Sequence, residues 1–156
     1  MAKIKPKEAQ SDVERMVQEW GLDITRTAHQ KHHDYAVSSL ADGTRPGMFL
    51  AFDQQRPNYV LPCAGIEGEL FVGIAGPASA NGFSVTLLCG EMLLYTSQFD
   101  PQANWQTRSD CLVVLGRGGV CTVGNYPDDF YASIGRVVHL PTGDDPFLGL
   151  TVKAWG

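Results

Sequence analysis

The hydrophobic positions of this chain change period once along its length. Before residue 45 they recur at three- and four-residue spacing in one place, where Val13, Met16, Val17 and Trp20 form a single stripe. From residue 46 onward they come in short runs broken by Gly, Pro, Asn and Asp. Those runs predict strands near residues 47–53, 57–62, 69–75, 83–89, 91–97, 111–115, 119–123, 134–140 and 147–153. The expected fold is all-β: residues 46–156 as a small sandwich or barrel of short antiparallel strands, without βαβ units. Residues 1–45 are expected as an arm with one short amphipathic helix at about 12–20. Ser11 and Glu14 have the spacing of a capping box, and Gly21 suits the C-terminal stop. A helix of about nine residues does not persist alone in water. Its stripe therefore needs a surface, on its own β domain or on another subunit. Between them, "LDITRTAHQKHHDYAVSS" reads as an extended strand or arm and "LADGTRPG" as a polar connector.

Composition narrows the function classes. A length of 156 residues suits one domain, and 17 glycines suit many tight turns. The net charge of −5 is uneven. Residues 1–48 hold seven basic and seven acidic side chains, and residues 49–156 hold five and ten. That balance disfavours nucleic-acid binding, which relies on Lys and Arg to displace counterions. Lys3, Lys5 and Lys7 read as a solvated tip. No run reaches the ~18 apolar residues of a membrane span. The N-terminus lacks an apolar signal-peptide core, so export by that route is not expected.

Candidate chemistry is sparse. His29, His32 and His33 in "HQKHHD" would share a helix face at i, i+3 or i+4 and could hold Zn²⁺ or Ni²⁺ with Asp34. A second distal cluster to complete the ligand set is missing, so no metal site is assigned and an exposed polar segment or subunit contact is the reading. "LGRGGVCTVG" runs into a strand, where a phosphate loop would run into a helix, and reads as a hairpin turn. Asp128 with Asp129, and Asp144 with Asp145, sit beside prolines and read as turn formers. Cys63, Cys89, Cys111 and Cys121 contain no CxxC pair and read as reduced core residues. A thiol enzyme would need Cys121 or Cys111 beside His139. The long insertion 98–110, "QFDPQANWQTRSD", carries Phe99 and Trp105, either folded back on the core or offered as a contact surface.

Five stretches together carry a family resemblance. They are "PGMFLAF", "LPCAGIEGELFVGIAGP", "VTLLCGEMLLYT", "CLVVLGRGGVCTVG" and "IGRVVHLPTGDDPFLGLTVKAW". Their order over residues 46–156 resembles that of the small β-rich head decoration (cement) proteins of tailed bacteriophages. The resemblance implies a structural virion protein, made in the host cytoplasm, that binds the outer capsid surface and bridges subunits of the major capsid protein. It also implies self-association, as a homotrimer, with no catalytic residues and no cofactor. Val13, Met16, Trp20, Phe99 and Trp105 are the expected partner contacts. Two other classes remain open. One is a carbohydrate-binding β-module of a phage appendage with Trp105 and Tyr126 stacking on the ligand; the other is a small hydrolase or thiol enzyme.

Overall fold

The computed structural model describes residues 21–28, 31–37, 44–78 and 83–154. Ten strands build it: β1 (Lys31–Val37), β2 (Phe49–Phe52), β3 (Tyr59–Pro62), β4 (Phe71–Ala78), β5 (Ser84–Cys89), β6 (Glu91–Thr96), β7 (Val113–Leu115), β8 (Cys121–Val123), β9 (Gly135–His139) and β10 (Leu148–Lys153). All nine predicted strands are present, within one to three residues at each end. The protein is all-β, and no α-helix occurs among the described residues. The helix expected at about 12–20 lies outside them.

The strands form two layers. The first is a small barrel in the order β1-β3-β2-β4-β5, closed where β1 meets β5. Every pairing in it is antiparallel except β1 with β3, which is parallel and thin, with two register partners, Ala36↔Tyr59 and Val37↔Val60. The second layer is an open sheet in the order β6-β10-β9-β7-β8. Its outer edges are extended by short bridges. Leu22 and Ala28 pair with Thr96 and Leu93 of β6, and Phe99 pairs with Cys121 of β8.

Alternation along the barrel strands divides the core in two. Leu50, Val60, Val72, Ala75, Val85, Leu87 and Cys89 fill the barrel. Their neighbours Phe49, Ala51, Phe71, Ile74 and Leu88 point outward, into a core shared with Leu94, Val113, Val137, Leu148 and Leu150 of the second sheet. Strands β2, β4 and β5 are therefore apolar on both faces, which is why they read as near-continuous hydrophobic runs. Gly90, at φ 87°, turns the chain from Cys89 in the barrel core to Met92 in the shared core. A second glycine joins the layers at the tip of the β7–β8 hairpin. Gly119 donates to the Cys63 carbonyl at 3.0 Å and accepts from Phe49 at 2.7 Å. With φ 80° and a Cβ that would lie 2.9 Å from Met48 Cγ, that position requires glycine. The predicted hairpin turn in "LGRGGVCTVG" is thus also a docking point.

The division drawn at residue 45 is not a division of the packing. β1 is a wall of the barrel, and Leu22 is fully buried in the shared core. The β body begins at or before residue 21. The alternative of a strand through "KHHDYAV" is the one adopted, so the helical spacing invoked for His32 and His33 does not apply. His29 lies outside the described residues.

Candidate functional site

Polar chemistry gathers on the solvent face of the second sheet, where residues 21–28 run alongside β6 and meet the β9–β10 hairpin. Asp23 to Thr27 form a tight turn, in which the Thr27 hydroxyl donates to the Asp23 carbonyl at 2.9 Å and accepts from the Tyr95 amide at 3.1 Å. This turn aims Arg26 across the sheet. Its Nη1 and Nη2 donate to the two carboxylate oxygens of Asp145 at 2.5 and 2.8 Å, and its Nε donates to Asp23 Oδ2 at 2.7 Å. The guanidinium lies 4.1 Å from the centroid of the Tyr95 ring. His139 completes the cluster. Its Nδ1 faces the Phe147 carbonyl at 3.2 Å, where only an N–H can donate, and its Nε2 is 3.3 Å from Asp145 Oδ2. Gly149 makes the space, because a Cβ there would lie 2.7 Å from His139 Cβ and 2.8 Å from the Tyr95 ring.

The electrostatics match this geometry. The Arg26 hydrogen bonds hold the Asp145 carboxyl below its usual range. Burial pushes Asp23 up, but the hydrogen bonds from Thr25 and Arg26 outweigh it and its carboxyl is also lowered. The Asp145 hydrogen bond raises Arg26, against the opposing effect of burial. Both forks of the guanidinium and both nitrogens of the imidazole already face partners. The arrangement works as a clamp that fastens residues 21–28 to the β9–β10 hairpin. Reading Asp145 as a turn former missed this. Arg26 lies 119 residues away in sequence, and nothing local in "TGDDPF" announces it.

The other candidates fall elsewhere. Phe99 and Trp105 come together edge to face, with centroids 6.0 Å apart, and pack half-buried against the shared core. The Trp105 indole N–H donates to the Asp100 carbonyl at 2.8 Å. Loop 98–110 is folded back on the core, and Trp105 is tied into it. Val13, Met16 and Trp20 lie outside the described residues.

The four cysteines are free and buried. Burial pushes the Cys63 thiol up to about 12, with Glu69 adding to the rise, and burial also raises Cys121 well above its usual value. Cys111 and Cys121 both face the shared core, and His139 stands in the clamp on the opposite face of the sheet. The Cys–His pairing that a thiol enzyme would need is therefore not made. Among the described residues, no group of three or more His, Cys, Asp or Glu side chains is placed to hold a metal ion.

The main exposed aromatic surface is one that the sequence reading touched only at Tyr126. Tyr126, Phe130 and Tyr131 are 59%, 60% and 98% exposed, on a compact turn that ends in a 3-10 segment, Phe130–Ala132. The turn is held by Asp129, whose carboxylate accepts from the Asn125 amide at 2.6 Å and whose amide donates to the Asn125 carbonyl at 2.7 Å. The signal available was "YPDDFY", three aromatic rings within six residues beside a proline. No protein-family model, no curated protein and no solved structure matches this chain.

Proposed function

We propose that the chain is a structural protein of a phage particle, a head decoration protein that binds the outer capsid surface and bridges major capsid protein subunits. The observation that carries this reading is the aromatic shelf of Tyr126, Phe130 and Tyr131, presented to solvent on a hydrogen-bonded turn of a two-layer β body. Large aromatics on a fixed backbone give contact area at little entropic cost, and such residues dominate interface energies. Val138 and Leu140, in and just after β9, are further exposed apolar residues. On a repeating shell, one such shelf per copy gives modest contacts that multiply by valency. The pattern resemblance over residues 46–156 points to the same role.

The test is co-sedimentation with shell-sized particles from cells that make the chain. Stoichiometric chain in the particle fraction is the expected result. Phe130→Ser with Tyr131→Ser should abolish attachment while leaving thermal unfolding unchanged. A chain found only in the slow-sedimenting fraction would end the reading. The same shelf supports a second reading, a sugar-binding module, since aromatic faces also stack on sugar rings. Calorimetry against a glycan panel separates the two, because heat that Tyr131→Ser abolishes would favour the sugar.

A further inference from the structure

The turn between β3 and β4, residues 64–69, presents a fixed apolar tip. Gly65 and Gly68 take left-handed φ values of 73° and 87°. The Glu69 carboxylate accepts from the amides of Ala64, Gly65 and Ile66 at 2.8, 2.7 and 3.1 Å. That backbone holds Ile66 at 56% exposure, with Leu70 at 62% just beyond the turn. Glu67 stands between them, exposed and, among the described residues, without an ion-pair partner.

A groove of ≈ 510 Å³ opens directly beside this tip, with Gly65 in its lining and Phe99, Leu115 and Val120 as half-buried apolar walls. Backbone contacts join the two features. Ala64 bridges Arg117, and a Cβ on Gly65 would lie 3.1 Å from the Gly116 carbonyl carbon. The groove holds two charged side chains. Asp100 is occupied, accepting from the Thr122 hydroxyl at 3.2 Å and from the Gln102 amide at 2.9 Å. Arg117 is exposed and, among the described residues, unpaired. One continuous surface therefore carries an apolar projection with a free carboxylate and an apolar recess with a free guanidinium. Apolar surface rimmed by charge in this way marks a contact site. A surface that holds both halves of a contact is what a two-fold interface requires, since each copy must offer what the other receives. A second groove, of ≈ 530 Å³, carries Arg136 and Lys153 and would suit Glu67 at least as well by charge. Contiguity decides between them, because no residue of the 64–70 segment lines that groove. Pairing there would run head to tail and make the contact once, whereas two copies meeting at the Phe99 groove make it twice.

We propose that this surface is a homodimer interface, in which Ile66 of each copy seats in the Phe99–Leu115–Val120 groove of the other and Glu67 pairs with Arg117 across the two-fold axis. The occupant of the groove is thus a second copy of this chain. The interface uses none of the shelf residues Tyr126, Phe130 and Tyr131, so it stands or falls apart from any attachment to a shell. It also joins two copies, where the resemblance to decoration proteins implies three.

Sedimentation equilibrium of the full-length protein tests it, with a monomer–dimer equilibrium expected below about 100 μM. A substitution at a two-fold interface acts twice, so a side chain worth about tenfold at one contact should raise the dimer dissociation constant about a hundredfold. Ile66→Ser should do so. Glu67→Arg and Arg117→Glu should each do the same, and the two together in one chain should restore the dimer, because the exchanged charges meet again. All three positions are exposed, so thermal unfolding of the dilute, monomeric variants should match that of the unmutated chain. A monomer at every concentration, or a trimer, would overturn the proposal, as would failure of the double exchange to restore association. A dimer broken by Arg136→Glu and not by Arg117→Glu would overturn it in favour of the other groove. One broken by Tyr131→Ser and not by Ile66→Ser would overturn it in favour of the aromatic shelf.

Discussion

The barrel and the open sheet are built from strands of similar length, yet they differ in what their faces do. In the barrel, successive residues of β2, β4 and β5 face two different cores, so both faces are apolar and almost no chemistry remains in the segment. In the open sheet, Met92, Leu94, Leu150 and Val152 face the shared core, and the alternate positions Tyr95, Arg136, His139 and Lys153 face outward. The whole clamp of Arg26, Asp145 and His139 stands on that second face. A strand buried on both sides can only hold shape, whereas one buried on a single side has a face left for contacts. The poverty of ionisable groups in residues 70–89, where Cys89 is the one ionisable side chain, is the mark of the first kind.

The largest expected effect lies inside the barrel. Leu87→Ala, at a fully buried position, should lower unfolding free energy by about 3 kcal/mol in a denaturant titration, whereas Val138→Ala on the open sheet should stay within ~0.5 kcal/mol. Comparable losses would break the distinction between the layers. Glycines give a second contrast, between a paired strand and an open turn. A Cβ on Gly73 would overlap the Leu88 carbonyl oxygen across the β4–β5 pair, whereas one on Gly143 meets nothing within 4 Å. Gly73→Ala should therefore cost about 1–3 kcal/mol, and Gly143→Ala should leave the melting temperature unchanged.

Titration next separates the shared core from the clamp. Burial raises Cys63 from 9.0 to about 12, so the folded state favours the neutral thiol. Its contribution is complete below pH 9 and is lost as pH rises toward 12. Cys63→Ala should flatten that alkaline limb in stability measured against pH. The clamp gives the smallest effect and the opposite sign. Asp23 and Asp145 are lowered from 3.8, so their contribution is present above that value and lost as pH falls below it. Asp145→Asn should remove part of the acid dependence and leave the alkaline limb as it was.

Residues 83–97 show how legible the strands were. The expectation of two strands around Cys89 and Gly90 matches Ser84–Cys89 and Glu91–Thr96 almost to the residue, because apolar runs punctuated by glycine encode strand and turn locally. β1 shows the reverse. "KHHDYAV" has no apolar alternation of its own, and it is a strand because β5 and β3 offer it hydrogen-bonding edges. The clamp was illegible for a related reason: Arg26, Tyr95, His139 and Asp145 are ordinary in their local contexts. Loop aromatics divided by context in the same way. Trp105 turned inward, where its N–H meets the Asp100 carbonyl, while Tyr131, with no such acceptor, stayed in solvent.

The sequence by itself determined the all-β class, nine of the ten strands, the hairpin at Gly118 and Gly119, and the buried, free state of the cysteines. Each of these follows from short-range pattern, propensity or burial tendency. Only the tertiary structure decided that the first five strands close into a barrel, that β1 lies parallel to β3, that residues 21–28 belong to the body, and that an arginine and an aspartate 119 positions apart share a bidentate ion pair. Those features depend on which strand edges meet in space, and in a protein of short strands many pairings satisfy the same local pattern until packing selects one.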